Sequence, residues 1–162
     1  MIKKMAVLLA VAVISLAVVS AISQTNKAPD FNLVDLQGKK ISLTSLKGSV
    51  VVLNFWASWC PPCKREIPDF VQTYNKYKDR GLVIIGVAVN SDIKDVKELV
   101  KQYNITYPVA MDDDSVSKAY GPITAVPTTF IIDKGGNLVP GGKKIGMFKE
   151  GELEKFIEQL LK

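Results

Sequence analysis

The sequence predicts an α/β fold, a single sheet with helices on both faces, in one 162-residue chain. Three observations predict it. Val50–Phe55 and Leu82–Val89 are continuous apolar runs rich in β-branched residues, as expected of strands buried on both sides. Each run is followed by a segment whose apolar residues recur at helical spacing. Apolar residues make up 48% and charged residues 23%, a globular balance that can fill a core. There is no repeat or low-complexity tract.

Lys3 and Lys4 precede Met5–Ile22, a stretch without a charge. At 1.5 Å per residue it spans ~27 Å as a helix. Residues 1–22 therefore read as a secretory signal, with a cleavage site after Ala21, or as an N-terminal membrane anchor. Either reading exports the rest of the chain and places it in the periplasm or on the outer face of the cytoplasmic membrane. Residues 23–28 read as a polar linker, and residues 29–162 as the folded domain.

In the domain, Phe31–Leu36, the Gln37-Gly38 turn and Lys40–Leu43 alternate with period two, predicting a hairpin. Val50–Phe55 is the central strand. From Pro61, Ile67, Phe70, Val71, Tyr74 and Tyr77 share a helical face that ends at Gly81, with Pro68 expected to kink it. Leu82–Val89 is the next strand. Asp92 caps a helix with Ile93, Val96, Leu99, Val100 and Tyr103 on one stripe. Asp114–Tyr120 forms a short helix ended by Gly121-Pro122. Thr128–Asp133 and Lys143–Phe148 are strands joined through Gly135-Gly136. The last helix starts near Glu150 and buries Leu153, Phe156, Ile157, Leu160 and Leu161. The net charge is +5, and +3 without Lys3 and Lys4. No basic cluster is interleaved with aromatics, which argues against nucleic acid as a partner.

The chain has two cysteines and no histidine. Those counts exclude histidine-based triads, histidine-ligated metals and a disulfide scaffold. Two cysteines close no four-ligand zinc site by themselves, and neither a metal nor another cofactor is expected. Both cysteines lie in Trp59-Cys60-Pro61-Pro62-Cys63, between the central strand and a helix. The spacing brings the sulfurs within bridging reach across the first helical turn. Cys60 at the helix start is the expected nucleophile, because the dipole and free N–H groups favour a thiolate there. Cys63, one turn inside, is the expected resolving thiol. A structural bridge, half a metal site or two core cysteines are the bland alternatives. Pro61 and Pro62 offer Cys60 no N–H, and no histidine adds a cation. A less stabilised thiolate makes the dithiol a better reductant.

Four stretches together resemble the TlpA/ResA-type thiol-disulfide oxidoreductases of the thioredoxin superfamily: residues 28–31, Val52–Cys63, Lys64–Pro68 and Val126–Asp133. The resemblance spans about residues 28–162. It implies a thioredoxin-like fold with a central mixed β-sheet, an N-terminal β-hairpin and a central insertion, for which residues 90–125 leave room. It also implies a cis peptide at Val126–Pro127 facing the cysteines, with the Val126 backbone pairing with bound substrate. Trp59 at the rim and Pro61 complete the expected substrate-binding residues. In this family a glutamate at the position of Glu66 tunes the cysteines and moves protons. Thioredoxin itself has a buried aspartate at the position of Asn54, which cannot ionise, and that departure strengthens the case for Glu66. The bland alternative for Glu66 is a favourable charge in the first turns of a helix.

The implied partners are disulfide-containing proteins, among them apocytochrome c, and a membrane thiol donor; residues 5–22 would contact the membrane if uncleaved. Two other functions fit the fold. A thiol peroxidase is one, but Leu53 and Ala57 stand where peroxiredoxins resemble one another in carrying proline and threonine or serine. A non-catalytic peptide-binding module is the other, and the intact cysteine pair argues against it. Asp112-Asp113-Asp114 reads as a solvated helix cap rather than a cation loop. Lys64 and Arg65 flank the motif, and Trp56 reads as core.

Overall fold

A computed structural model describes residues 26–162. The signal-or-anchor expectation falls on residues outside that range. Among the described residues, no helix is long and apolar enough to cross a membrane.

A five-stranded mixed sheet organises the chain. Its strands are β3 (Val50–Trp56), β4 (Leu82–Ala88), β5 (Val109–Met111), β6 (Thr128–Ile132) and β7 (Leu138–Ile145), in the order β5-β4-β3-β6-β7. The β3–β4 and β4–β5 pairs are parallel, while β3–β6 and β6–β7 are antiparallel. Every residue of β3 is buried, which explains why the strand is apolar at every position but Asn54. Alternate β3 side chains divide between two cores. Val50, Val52 and Trp56 join the core under α1 (Pro61–Tyr77), α2 (Ile93–Gln102) and α4 (Glu152–Leu160). Val51, Leu53 and Phe55 join the core on the opposite face, under the hairpin and the short α3 (Ser115–Ala119). Helices thus lie on both faces, unequally, and the thioredoxin-like arrangement holds.

The hairpin pairs β1 (Asn32–Val34) with β2 (Lys40–Ser42) as a separate antiparallel ribbon. Its buried Phe31, Leu33, Ile41 and Leu43 close the second core. There Phe55, Tyr120 and Phe130 stack edge-on or tilted, with Tyr120 and Phe130 centroids 5.1 Å apart. The Tyr120 hydroxyl donates to the Pro29 carbonyl at 2.8 Å. Leu36 N–H donates to Val109 at 2.8 Å, so the ribbon also covers the β5 edge. Asn26–Ala28, read as linker, pairs instead with the 136–138 segment through Ala28 N–H to Gly136 and Leu138 N–H to Asn26.

Three expectations are corrected. Strand β5 has no counterpart among the expected strands, because its Val-Ala-Met is too short to show a period. The last strand starts at Leu138 and ends at Ile145, rather than running from Lys143 to Phe148. It passes through Pro140-Gly141-Gly142, which an edge strand tolerates; a register shift between Phe130 and Ile132 absorbs the irregularity. Ile93, placed on the buried stripe, is 45% exposed, because the first turn of α2 lies outside the contact made by Val96 and Leu99. Asp92 caps that helix as expected, accepting from Lys94 N–H at 2.7 Å. Pro68 leaves the Lys64 carbonyl without its helical donor, yet α1 runs on as one element to Tyr77. A single 3₁₀ turn comes next and stops at Gly81, whose φ of 93° suits a residue without a Cβ.

Helix α4 holds α1 against the sheet through Leu153 and Ile157, both fully buried. Ile157→Ala should lower the unfolding free energy by about 2–5 kcal/mol in chemical denaturation. A loss under about 0.5 kcal/mol, typical of a surface position, would contradict this packing.

Candidate active site

Strand β3 delivers the chain to Cys60 in the central layer, and α1 starts at the next residue. Cys60 is the N-cap, with extended backbone. Its N–H donates to the Ala57 carbonyl at 3.1 Å, and its carbonyl accepts from Lys64 N–H at 3.2 Å. Of the first three helical residues only Cys63 has an N–H, and it donates to the Cys60 sulfur at 3.2 Å. Cys60 and Cys63 are joined as a disulfide, with Cα atoms 5.3 Å apart. Cys60 is 3% and Cys63 1% exposed, so the nucleophile candidate is more enclosed than a bare helix start implies.

The other expected residues gather around this pair. The Val126–Pro127 peptide is cis. The Cys60 sulfur lies 3.6 Å from the Val126 carbonyl, to which a thiol at that place can donate. Pro127 is buried and Val126 half-buried. Two hydrogen bonds fix their loop: Gly146 N–H to Pro127 at 2.8 Å and Thr128 hydroxyl to Ala125 at 2.7 Å. Trp59 is 61% exposed and its indole N–H donates to the Asn90 carbonyl at 2.8 Å, which orients an otherwise free ring. Ser58 N–H donates to the Ser91 hydroxyl, so the loops after β3 and β4 are tied together. Pro61 is exposed beside Trp59, and Trp56 is core, as expected.

Glu66 sits one turn after Cys63 on the same face of α1. It is 5% exposed. Its Oε1 accepts from Asn54 Nδ2 at 3.1 Å, and the same amide donates to Thr129 Oγ1 at 3.0 Å. Asn54 and Thr129 face each other across β3 and β6. Glu66 Oε2 is sealed from water and has no hydrogen-bond partner among the described residues. Burial pushes the carboxyl up to about 7; the Asn54 hydrogen bond opposes this, the nearby Phe148 amide opposes it more weakly from outside hydrogen-bond geometry, and the Asp69 charge adds to the rise. Tyr107, stacked against Phe70 and Tyr74, faces the same carboxylate: burial first, and the Glu66 charge second, raise its phenol.

Sequence reading missed Thr129, Tyr107 and Asp69. Strand alternation could have placed Thr129 beside Asn54, since one residue of the Thr128-Thr129 pair must face α1. Lys64, named as a flank, borders a cleft with Asp92, Asp95 and Glu98 of the α2 region. Arg65 is exposed and lies on the wall of the groove above Glu66. In the acidic run, Asp113 accepts from Ser115 N–H at 3.0 Å and so serves α3, as expected.

Known proteins share this fold. Residues 25–140 match the AhpC/TSA family. A protein named thiol-disulfide oxidoreductase ResA from Bacillus cereus is 40% identical over 134 residues, covering 83% of this chain and 76% of that protein. Its namesake from Geobacillus thermodenitrificans is 36% identical over 144 residues, covering 87% and 80%. The crystal structure of a thioredoxin-family thiol:disulfide interchange protein from Chlorobium tepidum superposes with a TM-score of 0.80 at 36% identity, covering 86% of this chain and 99% of that one.

A carboxyl near 7 makes a signed prediction. The folded form binds a proton that the unfolded form has lost between pH ~4.5 and ~7. Stability from this group is fully present below the unfolded value and is lost as pH rises through the folded one. Glu66→Gln removes the dependence. Relative to the variant, the parent should lose about 3 kcal/mol of unfolding free energy between pH 4.5 and 8. Parallel stability–pH curves for the two proteins would contradict a buried, raised Glu66.

Proposed function

The chain belongs to the AhpC/TSA family and is a thioredoxin-like thiol-disulfide oxidoreductase of the ResA type, and on that premise we propose that it acts outside the cytoplasmic membrane as a disulfide reductant. One observation carries the direction of the reaction: among the described residues, the Cys60 sulfur receives a single N–H from the first helical turn, that of Cys63, and no hydrogen bond from a Lys or Arg side chain. Strong oxidants of this motif class hold a far more stabilised thiolate. Residues 1–22 serve as signal or anchor and residues 29–162 as the working domain.

In the proposed cycle the Cys60 thiolate attacks one sulfur of a substrate disulfide. The substrate S–S bond breaks, a Cys60–substrate S–S bond forms, and the departing thiolate takes a proton from water. Glu66 then accepts the Cys63 proton, the Cys63 thiolate attacks the Cys60 sulfur, the Cys60–substrate S–S bond breaks, and the second substrate sulfur leaves as a thiolate that takes a proton from water. Two electrons pass to the substrate and the enzyme is left with the Cys60–Cys63 disulfide, the form seen in this structure. A membrane thiol donor reduces it again. A carboxyl poised near neutrality can take up and release that proton at working pH.

Trp59, Pro61, Val126 and Pro127 line the approach to Cys60 and are proposed to hold an extended substrate segment, with Val126 supplying backbone hydrogen bonds. Exposed Ile145 and Met147, flanking the bond from Gly146 to Pro127, extend the apolar rim. Apocytochrome c before haem attachment is one disulfide-containing protein this scheme accommodates.

Cys60→Ser should abolish insulin-disulfide reduction by the full chain. Cys63→Ser should still attack, and in cells should accumulate Cys60-linked adducts that identify the substrates. Retained reduction in Cys60→Ser, or no adducts in Cys63→Ser, would overturn the assignment of nucleophile and resolving thiol.

A further inference from the structure

Glu66 poses a problem of access. It is proposed to receive the Cys63 proton, yet its free Oε2 is sealed from water and has no partner among the described residues. A buried acid that cycles must hand its proton on.

The groove between α1 and the segment after β7 supplies a route. Glu66 and Phe148 form its floor, and Asp69, Glu150, Arg65 and Met147 stand around it. Asp69 lies three residues after Glu66, which on a helix sets the Cβ atoms about 5–6 Å apart. Asp69 is half-buried, whereas Arg65 and Glu150 are exposed, so among these charged groove residues Asp69 is intermediate in exposure between the sealed carboxyl and solvent. We propose that Asp69 is a positioning residue for proton transfer: it relays the proton between Glu66 Oε2 and water through this groove whenever Cys63 gains or loses its own. The relay rests on the reading of Glu66 as the Cys63 base.

Burial and the surrounding charges raise both acids. Burial raises the Asp69 carboxyl, the Glu154 charge on α4 adds to this, the Gly151 N–H opposes it, and the Glu150 charge adds a smaller rise. Glu154 is itself engaged by Lys76 and by the Tyr77 hydroxyl, which keeps it out of the path. Arg65 and Glu150 line the groove from opposite walls, and Tyr107 faces Glu66 from the inner side as a phenol held neutral. Each transfer balances: Cys63 S–H gives its proton to Glu66, a water entering the groove carries it from Glu66 to Asp69, and Asp69 gives it to bulk water, while the electron pair left on the Cys63 sulfur forms the Cys60–Cys63 bond as the Cys60–substrate S–S bond breaks and the substrate sulfur leaves as a thiolate.

The test uses the reduced full chain in detergent and Ellman's reagent. Attack by Cys60 releases a first thionitrobenzoate and closure by Cys63 a second, so stopped-flow absorbance separates the two steps. Asp69→Asn should leave the first phase unchanged and slow the second by about ten-fold. Asp69→Glu, or added formate as a diffusible carrier, should restore it; a purely structural loss would not answer to formate. An unchanged second phase in Asp69→Asn, or a slowed one that neither Asp69→Glu nor formate restores, would overturn the relay. Glu66→Gln separates the two claims. If it slows the second phase while Asp69→Asn does not, only the relay fails. If it does not slow that phase, the reading of Glu66 fails with it.

Discussion

Three polar groups are held inside an apolar core at the start of one helix, and the structure depends on how they are satisfied. Asn54 lies mid-strand in β3, where every neighbour is buried. Its amide donates to Glu66 and to Thr129, so β3, β6 and α1 meet at one side chain. An unpaired amide there would cost roughly 1–3 kcal/mol. The hydrogen bond to Asn54 holds Glu66 on the face of α1 that carries Cys63. The same packing that orients Glu66 denies it water, which raises its carboxyl toward neutrality. Fold and chemistry are therefore one constraint: the site titrates near neutral pH because it is built into the core.

The disulfide is set by the helix it opens. Cys60 ends the extended chain and caps α1, so its sulfur takes the place a serine or aspartate oxygen fills at other helix starts. Pro61 and Pro62 suit the first turn, where missing N–H groups cost no helical bond. They also strip the sulfur of two donors. A residue choice that favours helix initiation thereby withholds donors from the sulfur, and the proposed redox bias rests on this local backbone chemistry.

Much of this was legible in the sequence. The predominantly apolar runs of β3 and β4 carry their two-sided burial, the Cys-x-x-Cys between strand and helix carries the reactive pair, and Asp92 announces the start of α2. What was not legible depends on pairing across the chain. The three residues of β5 have no pattern of their own and exist because β4 offers an edge and the hairpin covers it. Pro140-Gly141-Gly142 looks like a turn but lies within an edge strand. Glu66 could be selected by its position after Cys63, but its raised carboxyl comes chiefly from burial among residues distant in the chain, and spacing alone does not assemble them.

An N-cap sulfur short of donors, beside a buried carboxyl, is proposed to make a reducing couple. The midpoint potential of the Cys60–Cys63 pair, measured by equilibration of the full chain with glutathione buffers, tests it most directly. The account predicts a value in the range of thioredoxin and the glutaredoxins, about −200 to −270 mV. A value near about −120 mV, that of strong oxidants, would contradict it.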